Sequence, residues 1–204
     1  MDHLTELENK TIYLLRESYY RFKNIALLWS IGKDSTTLLW LARKAFFGKL
    51  PFPVIHLDTT FKFKEIYEFR DRYSALWGLD LIVGKNIRAI AAGTSPQTGK
   101  FECCNALKTD ALKIMLKERG LKALLLAIRR DEHGIRAKER YFSPRNPAFV
   151  WDYKHQSAEL WDMYKPCLEG EEHVRVHPML HWTELDVWRY IEREHIPVVS
   201  LYFA

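Results

Sequence analysis

A chain of 204 residues that is 48% hydrophobic, with charges interspersed, is long enough for one domain with a full core, 1–204. Its net charge of +5 favours anionic ligands, and the basic residues lie in mixed-charge stretches that do not call for nucleic acid. No apolar run reaches membrane-spanning length, the Met1–Glu6 start lacks signal-peptide regions, and Cys103, Cys104 and Cys167 make no secreted disulfide framework. The expectation is a reduced, cytoplasmic protein with no membrane attachment.

Leu4, Leu7, Leu14, Leu15 and Phe22 recur at helical spacing, so the chain opens with an amphipathic helix. Five apolar runs then read as buried strands: Ile25–Trp29, Val54–Leu57, Asp80–Val83, Ala123–Ile128 and Val174–Val176. Helical segments Ser35–Phe47, Lys62–Trp77 and Asn105–Arg119 separate most of them. Apolar strands alternating with helices predict an α/β domain, with a mainly parallel five-stranded sheet and helices on both faces. From Ser143 to Glu172 the rhythm breaks. Pro144, Pro147, Pro166 and Gly170 stand there among tryptophans and charges, as in a functional or disordered loop. Trp151 and Trp161 of this insert are expected to form a local cluster. A last helix begins at Thr183, an N-cap that Asp186 answers as an acidic capping box. Trp182 and Trp188 are expected to pack it onto the sheet. The apolar stretch Val198–Ala204 reads as a cut edge.

The hexapeptide Ser30-Ile31-Gly32-Lys33-Asp34-Ser35 joins the first strand to a helix start. Such a turn presents unpaired backbone N–H groups and the positive end of a helix dipole to an anion. It lacks the two spaced glycines of a Walker loop. Asp34 inside it suits a pyrophosphate site where a carboxylate positions Mg²⁺ or the nucleotide; the plain alternative is a strand-to-helix turn capped by Ser35. Asp58-Thr59 ends the second strand, the edge where doubly wound sheets bind ligands, and would meet a ribose, an adenine or a metal. Asp and Thr are also ordinary turn formers. Arg129 and Arg130 follow the fourth strand and suit a dianion such as sulfate or phosphate. Arg136, Lys138 and Arg140 extend this run, which otherwise reads as a solvated set of ion pairs.

These motifs, with Leu41–Phe46, Pro51-Phe52-Pro53 before His56-Leu57-Asp58-Thr59, Phe61–Asp71, Arg129–Glu132, Arg136–Arg140 and Trp182–Ile191, resemble the sulfate adenylyltransferase subunit 2 family. That family lies within the adenylylsulfate and phosphoadenylylsulfate reductase superfamily, and the likeness runs from the first helix to the last residue. The resemblance implies an adenine-nucleotide α-hydrolase-like (Rossmann-like) fold with a Ser-x-Gly-x-Asp-Ser pyrophosphate loop. It implies the sulfur-assimilation reaction of ATP and sulfate to adenylyl sulfate and pyrophosphate, and a separate GTPase large subunit as partner. Under it, the loop amides, Ser30, Ser35 and Lys33 hold pyrophosphate, and Asp34 acts through Mg²⁺ or orders the loop. Arg129 and Arg130 hold sulfate or the α-phosphate. Family members continue beyond the position of Ala204. A homo-oligomer stays open.

The vicinal Cys103-Cys104 pair is similar to that of the superfamily's iron–sulfur reductases. Without a Cys-x-x-Cys this chain alone supplies no four-thiolate cluster, so no iron–sulfur cluster is expected. The following Lys108-Thr109 fits the adenylyltransferase pattern. His173, His177 and His181 are spaced by four, but along an extended strand that is about 13 Å per step, too far to share one metal. Two alternatives stay open: an adenylylsulfate or phosphoadenylylsulfate reductase-like enzyme, and a truncated nucleotide-binding module without turnover. A tRNA-modifying adenylating enzyme would bring an RNA-binding extension, and none is visible.

Overall fold

The computed structural model describes residues 2–164 and 173–203. In chain order the principal elements are α1 (His3–Phe22), β1 (Ile25–Leu28), α2 (Lys33–Ala45), β2 (Val54–Leu57), α3 (Lys64–Leu76) and β3 (Leu81–Gly84). The short helices α4 (Ile87–Ala91) and α5 (Lys100–Cys104) follow, then a π-turn over Asn105–Asp110 that runs into α6 (Ala111–Arg119). β4 (Ala123–Leu125), β5 (Phe142–Arg145), β6 (His173–Val176) and α7 (Glu184–Glu194) complete the fold, and a 3₁₀ turn spans Ser200–Phe203. Cys167, Pro166 and Gly170 lie outside the described residues.

The sheet runs β3-β2-β1-β4-β6-β5. All neighbours pair in parallel except β5 with β6. Side chains alternate across β1, as strand geometry requires. Ile25 and Leu27 enter a core with Leu14, Leu38 and Leu41 of α1 and α2, while Ala26 meets Leu112 and Met115 of α6 on the opposite face. Helices therefore cover both faces, and the strands read as near-continuous apolar runs because neither face is wet.

The sheet has six strands where five were expected. The additional one, β5, lies at the start of the stretch read as irregular. It is an edge strand with a single neighbour, and only there does Pro144 cost no ladder hydrogen bond. Ala123–Ile128 also divides. β4 ends at Leu125; the Leu126 amide still donates to the Val176 carbonyl at 2.8 Å, and residues 126–128 line a cleft. The helix expected over Asn105–Arg119 opens as a π-turn. At the other end of the chain, Thr183 and Asp186 form the reciprocal capping box, Thr183 Oγ1 accepting from the Asp186 amide at 3.2 Å and the Thr183 amide donating to Asp186 at 3.0 Å.

Chain order reverses between β1, which leads outward to β2 and β3, and β4, which starts the other half of the sheet. At such a switch point the strand ends diverge and leave a crevice beyond their carboxyl ends. The hexapeptide after β1 and the arginines after β4 both lie there.

Candidate active site

The loop after β1 is held by its own hydroxyls. Ser30 Oγ and Ser35 Oγ are 3.0 Å apart, and Ser35 Oγ donates to the Gly32 carbonyl at 2.9 Å. Gly32 caps α2 with an ordinary φ of −72°. The left-handed residue is Ile31, at φ 71° and buried. A β-branched side chain in that region is strained, and such strain persists only where the surroundings over-determine it. A Cβ on Gly32 would stand 3.4 Å from Ser30 Oγ and 3.6 Å from the Tyr202 hydroxyl. Glycine thus keeps clear the space in front of the loop. The Lys33 N–H, one of the helix-opening amides with no intrahelical acceptor, donates to the Tyr202 hydroxyl at 3.0 Å.

In front of the loop lies a chamber of 610 Å³ lined by Ser30, Lys33, Asp34, Arg129, Glu132 and Glu184 among others. Arg129 is buried at its centre and carries most of the chamber's ion pairing. Its guanidinium contacts Asp34, reaches Glu184 at 2.7 Å and Asp131 at 3.0 Å, and lies 3.7 Å from Glu132. Lys33 Nζ bridges Asp34 at 2.9 Å and Glu184 at 3.0 Å. Burial pushes the Glu184 carboxyl up, but the hydrogen bonds and charges of Lys33, Trp188 and Arg129 outweigh it and leave Glu184 below the usual carboxylate range. The Trp188 edge donates to Glu184 at 2.9 Å, and its ring meets Tyr202 edge-on at 5.5 Å. Trp188 therefore borders the loop, whereas Trp182 is buried against Thr11 of α1 and Tyr190.

In the free chain one Asp34 oxygen meets Arg129 and the other Lys33, so Asp34 anchors two cations to the loop. Mg²⁺ would meet Asp34 there only with the nucleotide's phosphates supplying its other ligands.

A second chamber of 370 Å³ shares Leu28, Ser30, Leu126 and Ile128 with the first and extends toward Leu57 and Leu112. Lys62 lines it, with its Nζ 2.9 Å from His56 Nε2 and 2.8 Å from the Leu57 carbonyl. Burial and the nearby ammonium push the fully buried His56 down to about 4. Lys108, Thr109 and Arg175 line the same chamber.

The remaining expected residues scatter. Arg130 turns away from the loop to His181 and the Glu139 carbonyl. Arg136 reaches the loop chamber paired with Glu132, while Lys138 lies over the Tyr153 ring at 4.7 Å. Arg140 flanks β5 and its carbonyl meets His177 Nδ1 at 2.9 Å. Asp58 is buried and saturated by the Thr60 amide at 2.8 Å, Tyr67 at 2.9 Å and Lys85 at 3.0 Å. In the free chain these contacts brace the β2 end. Thr59 faces a separate 210 Å³ pocket with Cys103 and Cys104. His173 meets Phe149, and His181 lies beside Tyr141. Trp151 sits near Tyr153 and Arg145, and Trp161 is exposed. Glu184, Trp188, Tyr202, Lys62 and Arg175 carried no motif that marked them as site residues. Only folding brings them to the crevice.

Comparison with known proteins places the chain in a family. Residues 24–204 match the Phosphoadenosine phosphosulfate reductase domain family. The chain is 49% identical over 204 residues to Sulfate adenylyltransferase subunit 2 of Myxococcus xanthus, covering 99% of this chain and 67% of that protein. It belongs to the sulfate adenylyltransferase subunit 2 family. A Pseudomonas aeruginosa member is 48% identical and is covered over 68% of its length. Family members are thus longer than this chain by about a third of their length. Among solved structures, the phosphoadenylyl-sulfate reductase of Candida auris superposes with a TM-score of 0.68 at 17% identity, covering 99% of this chain and 90% of that one. The FMN adenylyltransferase of Candida glabrata in complex with ATP gives 0.70 at 16% identity, covering 98% and 58%. At those identities the likeness shows the fold, and the fold agrees with the adenylyltransferase family's placement in the reductase superfamily.

Proposed function

We propose that this chain is the ATP-binding catalytic subunit of a sulfate adenylyltransferase, converting ATP and sulfate to adenylyl sulfate and pyrophosphate. The observation that carries the reading is the loop after β1, whose helix-opening amides, Ser30, Ser35 and Lys33 converge on one chamber with Arg129. That set suits the β- and γ-phosphates as a leaving pyrophosphate. The apolar walls of the second chamber, Leu28, Leu57, Leu112 and Leu126, suit the adenine.

Two groups occupy the phosphate seats in the free chain. The Tyr202 hydroxyl takes the Lys33 amide, and the half-exposed Glu184 bridges Lys33 Nζ and Arg129. Replacing Glu184 with phosphate oxygens leaves both cations paired, so binding creates no uncompensated buried charge. Asp34 then holds Arg129 and Lys33 in register with the loop. Sulfate attacks the α-phosphorus as pyrophosphate departs in line, and catalysis is positioning plus neutralisation of the leaving charge. No general base is needed, because the nucleophile is already an anion. The reaction lies uphill, and the name subunit 2 carried by the relatives fits a partner large subunit, which we assign as a GTPase.

The test is exchange of labelled pyrophosphate into ATP by the chain with its partner subunit. Exchange that requires sulfate supports the reading. Exchange indifferent to sulfate, or release of sulfite from adenylyl sulfate with an electron donor, refutes it in favour of a different reaction.

A further inference from the structure

The arginines after β4 are poor candidates for a second anion. Arg129 already meets four carboxylates, Asp34, Asp131, Glu132 and Glu184, and Arg130 points to His181. The second chamber has the opposite balance. Among the described residues, Lys62, Lys108 and Arg175 line it, and no Asp or Glu does. Among the described residues, none of the three has a carboxylate oxygen within 4.0 Å, the distance that defines an ion pair. The nearest candidates are committed elsewhere. Asp58, which acts on Lys62 from farther off, is taken by Lys85 and Tyr67; Glu139, which acts on Arg175 in the same way, gives one oxygen to Arg145 at 2.8 Å and keeps the other without a hydrogen bond among the described residues.

The partners of these cations are neutral or missing. Lys62 has only an imidazole nitrogen and a carbonyl. Arg175 Nε is buried without any hydrogen-bond partner. Burial lowers the Lys62 ammonium to about 8, with Asp58 opposing and Lys108 and Arg70 adding to the effect. A ligand that supplies negative charge is favoured beside the half-buried Lys62 and Arg175, and the exposed Lys108 stands at the same chamber. Adenosine is uncharged, and the β- and γ-phosphates of ATP have their seats on the loop, which leaves the single charge of the α-phosphate for the junction between the chambers. Three cations exceed that one charge, and a second anion balances them.

We propose that Lys62, Lys108 and Arg175 form the seat of the sulfate co-substrate in the second chamber, a reading that rests on the adenylyltransferase function above. The chambers meet at Ser30 and Ile128, so an α-phosphate at that junction has pyrophosphate on the loop side and sulfate on the other. This is the arrangement an in-line displacement needs. One sulfate oxygen forms the new bond to the α-phosphorus as its bond to the bridging oxygen of pyrophosphate breaks. The electron pair leaves with pyrophosphate, and no proton moves.

Equilibrium dialysis of ³⁵S-sulfate against the chain saturated with α,β-methylene-ATP, which cannot react, tests the proposal. Lys108→Met is the lead variant, because Lys108 is exposed and its loss does not threaten the fold. Arg175→Met is the second. Losing one charge-assisted contact to a dianion weakens sulfate binding by about tenfold to a hundredfold. Affinity for α,β-methylene-ATP, whose adenine shares this chamber, falls much less, by no more than about threefold. Unchanged sulfate binding in Lys108→Met and in folded Arg175→Met overturns the proposal. So does equal weakening of both ligands, which would make the cations part of the nucleotide site. Wild-type chain that binds the nucleotide but no sulfate overturns the sulfate seat alone, whereas wild-type chain that binds neither overturns the adenylyltransferase reading with it.

Discussion

Arg129 is where the loop, the turn after β4 and the start of α7 are tied together, so Arg129→Met is the most informative single perturbation. Its guanidinium is only 4% exposed and faces Asp34 of α2, Asp131 and Glu132 of its own turn, and Glu184 of α7. Removing one partner of a buried ion pair costs about 3–5 kcal/mol, because the other charge is left uncompensated. Glu184 and Asp131 are 52% and 36% exposed and are screened by water, which places the cost near the lower end, about 3 kcal/mol. For a domain of this size that is a fall in Tm of about 6–12 °C. ATP suffers a second loss. Four carboxylates remain around the seat of a polyanion, with Lys33 and Arg136 the cations still paired to them, and ATP affinity falls by about tenfold to a hundredfold. Thermal melting by circular dichroism and ATP titration by calorimetry read the two effects separately. Arg129→Lys restores one charge without the fork that spans three carboxylates, so it recovers only part of each loss. An Arg129→Met chain that melts within about 2 °C of wild type, a shift worth under about 1 kcal/mol, and binds ATP equally well refutes the assignment.

Tyr202→Phe removes the hydroxyl that occupies the Lys33 amide. ATP affinity measured by calorimetry is then unchanged or rises by up to about fivefold, corresponding to the net worth of one neutral hydrogen bond; a tenfold fall shows that Tyr202 is a ligand contact and not a placeholder. Gly84→Ala places a Cβ against the Met115 thioether and 3.2 Å from a Leu57 methyl. The thioether is the flexible end of its side chain, so Met115 repacks and the cost in urea denaturation is about 1 kcal/mol; a loss above about 3 kcal/mol contradicts this repacking. Acid weakens the fold through buried imidazoles. Burial holds His56, His173 and His177 each at about 4, so between their ordinary value of 6.5 and about 4 the unfolded chain binds more protons than the folded one. Stability therefore falls as pH drops through that window and levels off, for these groups, below it. The urea midpoint followed from pH 7 to pH 4 shows the slope, and His173→Phe flattens part of it; a midpoint that rises on acidification contradicts the reading.

Much of this protein is written in local pattern. Apolar strands such as Ile25–Leu28 and Val54–Leu57 are legible because both sheet faces are buried, and β1, β2 and β6 begin or end within a residue or so of the pattern. The capping box at Thr183 is legible because its chemistry spans three residues. The edge strand β5 was hidden by Pro144, which only an edge position excuses. The Ser30–Ser35 loop is likewise a local feature, since a short strand, a polar turn and a helix start expose amides wherever they occur.

What composition and spacing determined was therefore the α/β class and the strand-to-helix loop of Ser30–Ser35 at a strand end. What only the tertiary structure decided was the division of charge around that loop. Arg129 and Arg130 are adjacent in sequence and equal in chemistry, yet one enters the crevice among four carboxylates and the other leaves it for His181. Lys62, Lys108 and Arg175 come from three separate elements and meet only because β1, β2, β4 and β6 lie side by side at the point where chain order reverses. Local sequence sets which charges exist and on what kind of backbone. Which of them are neutralised by a neighbour, and which stay available to an anion, depends on distances of 3–4 Å between residues far apart in the chain, and those distances are set by packing.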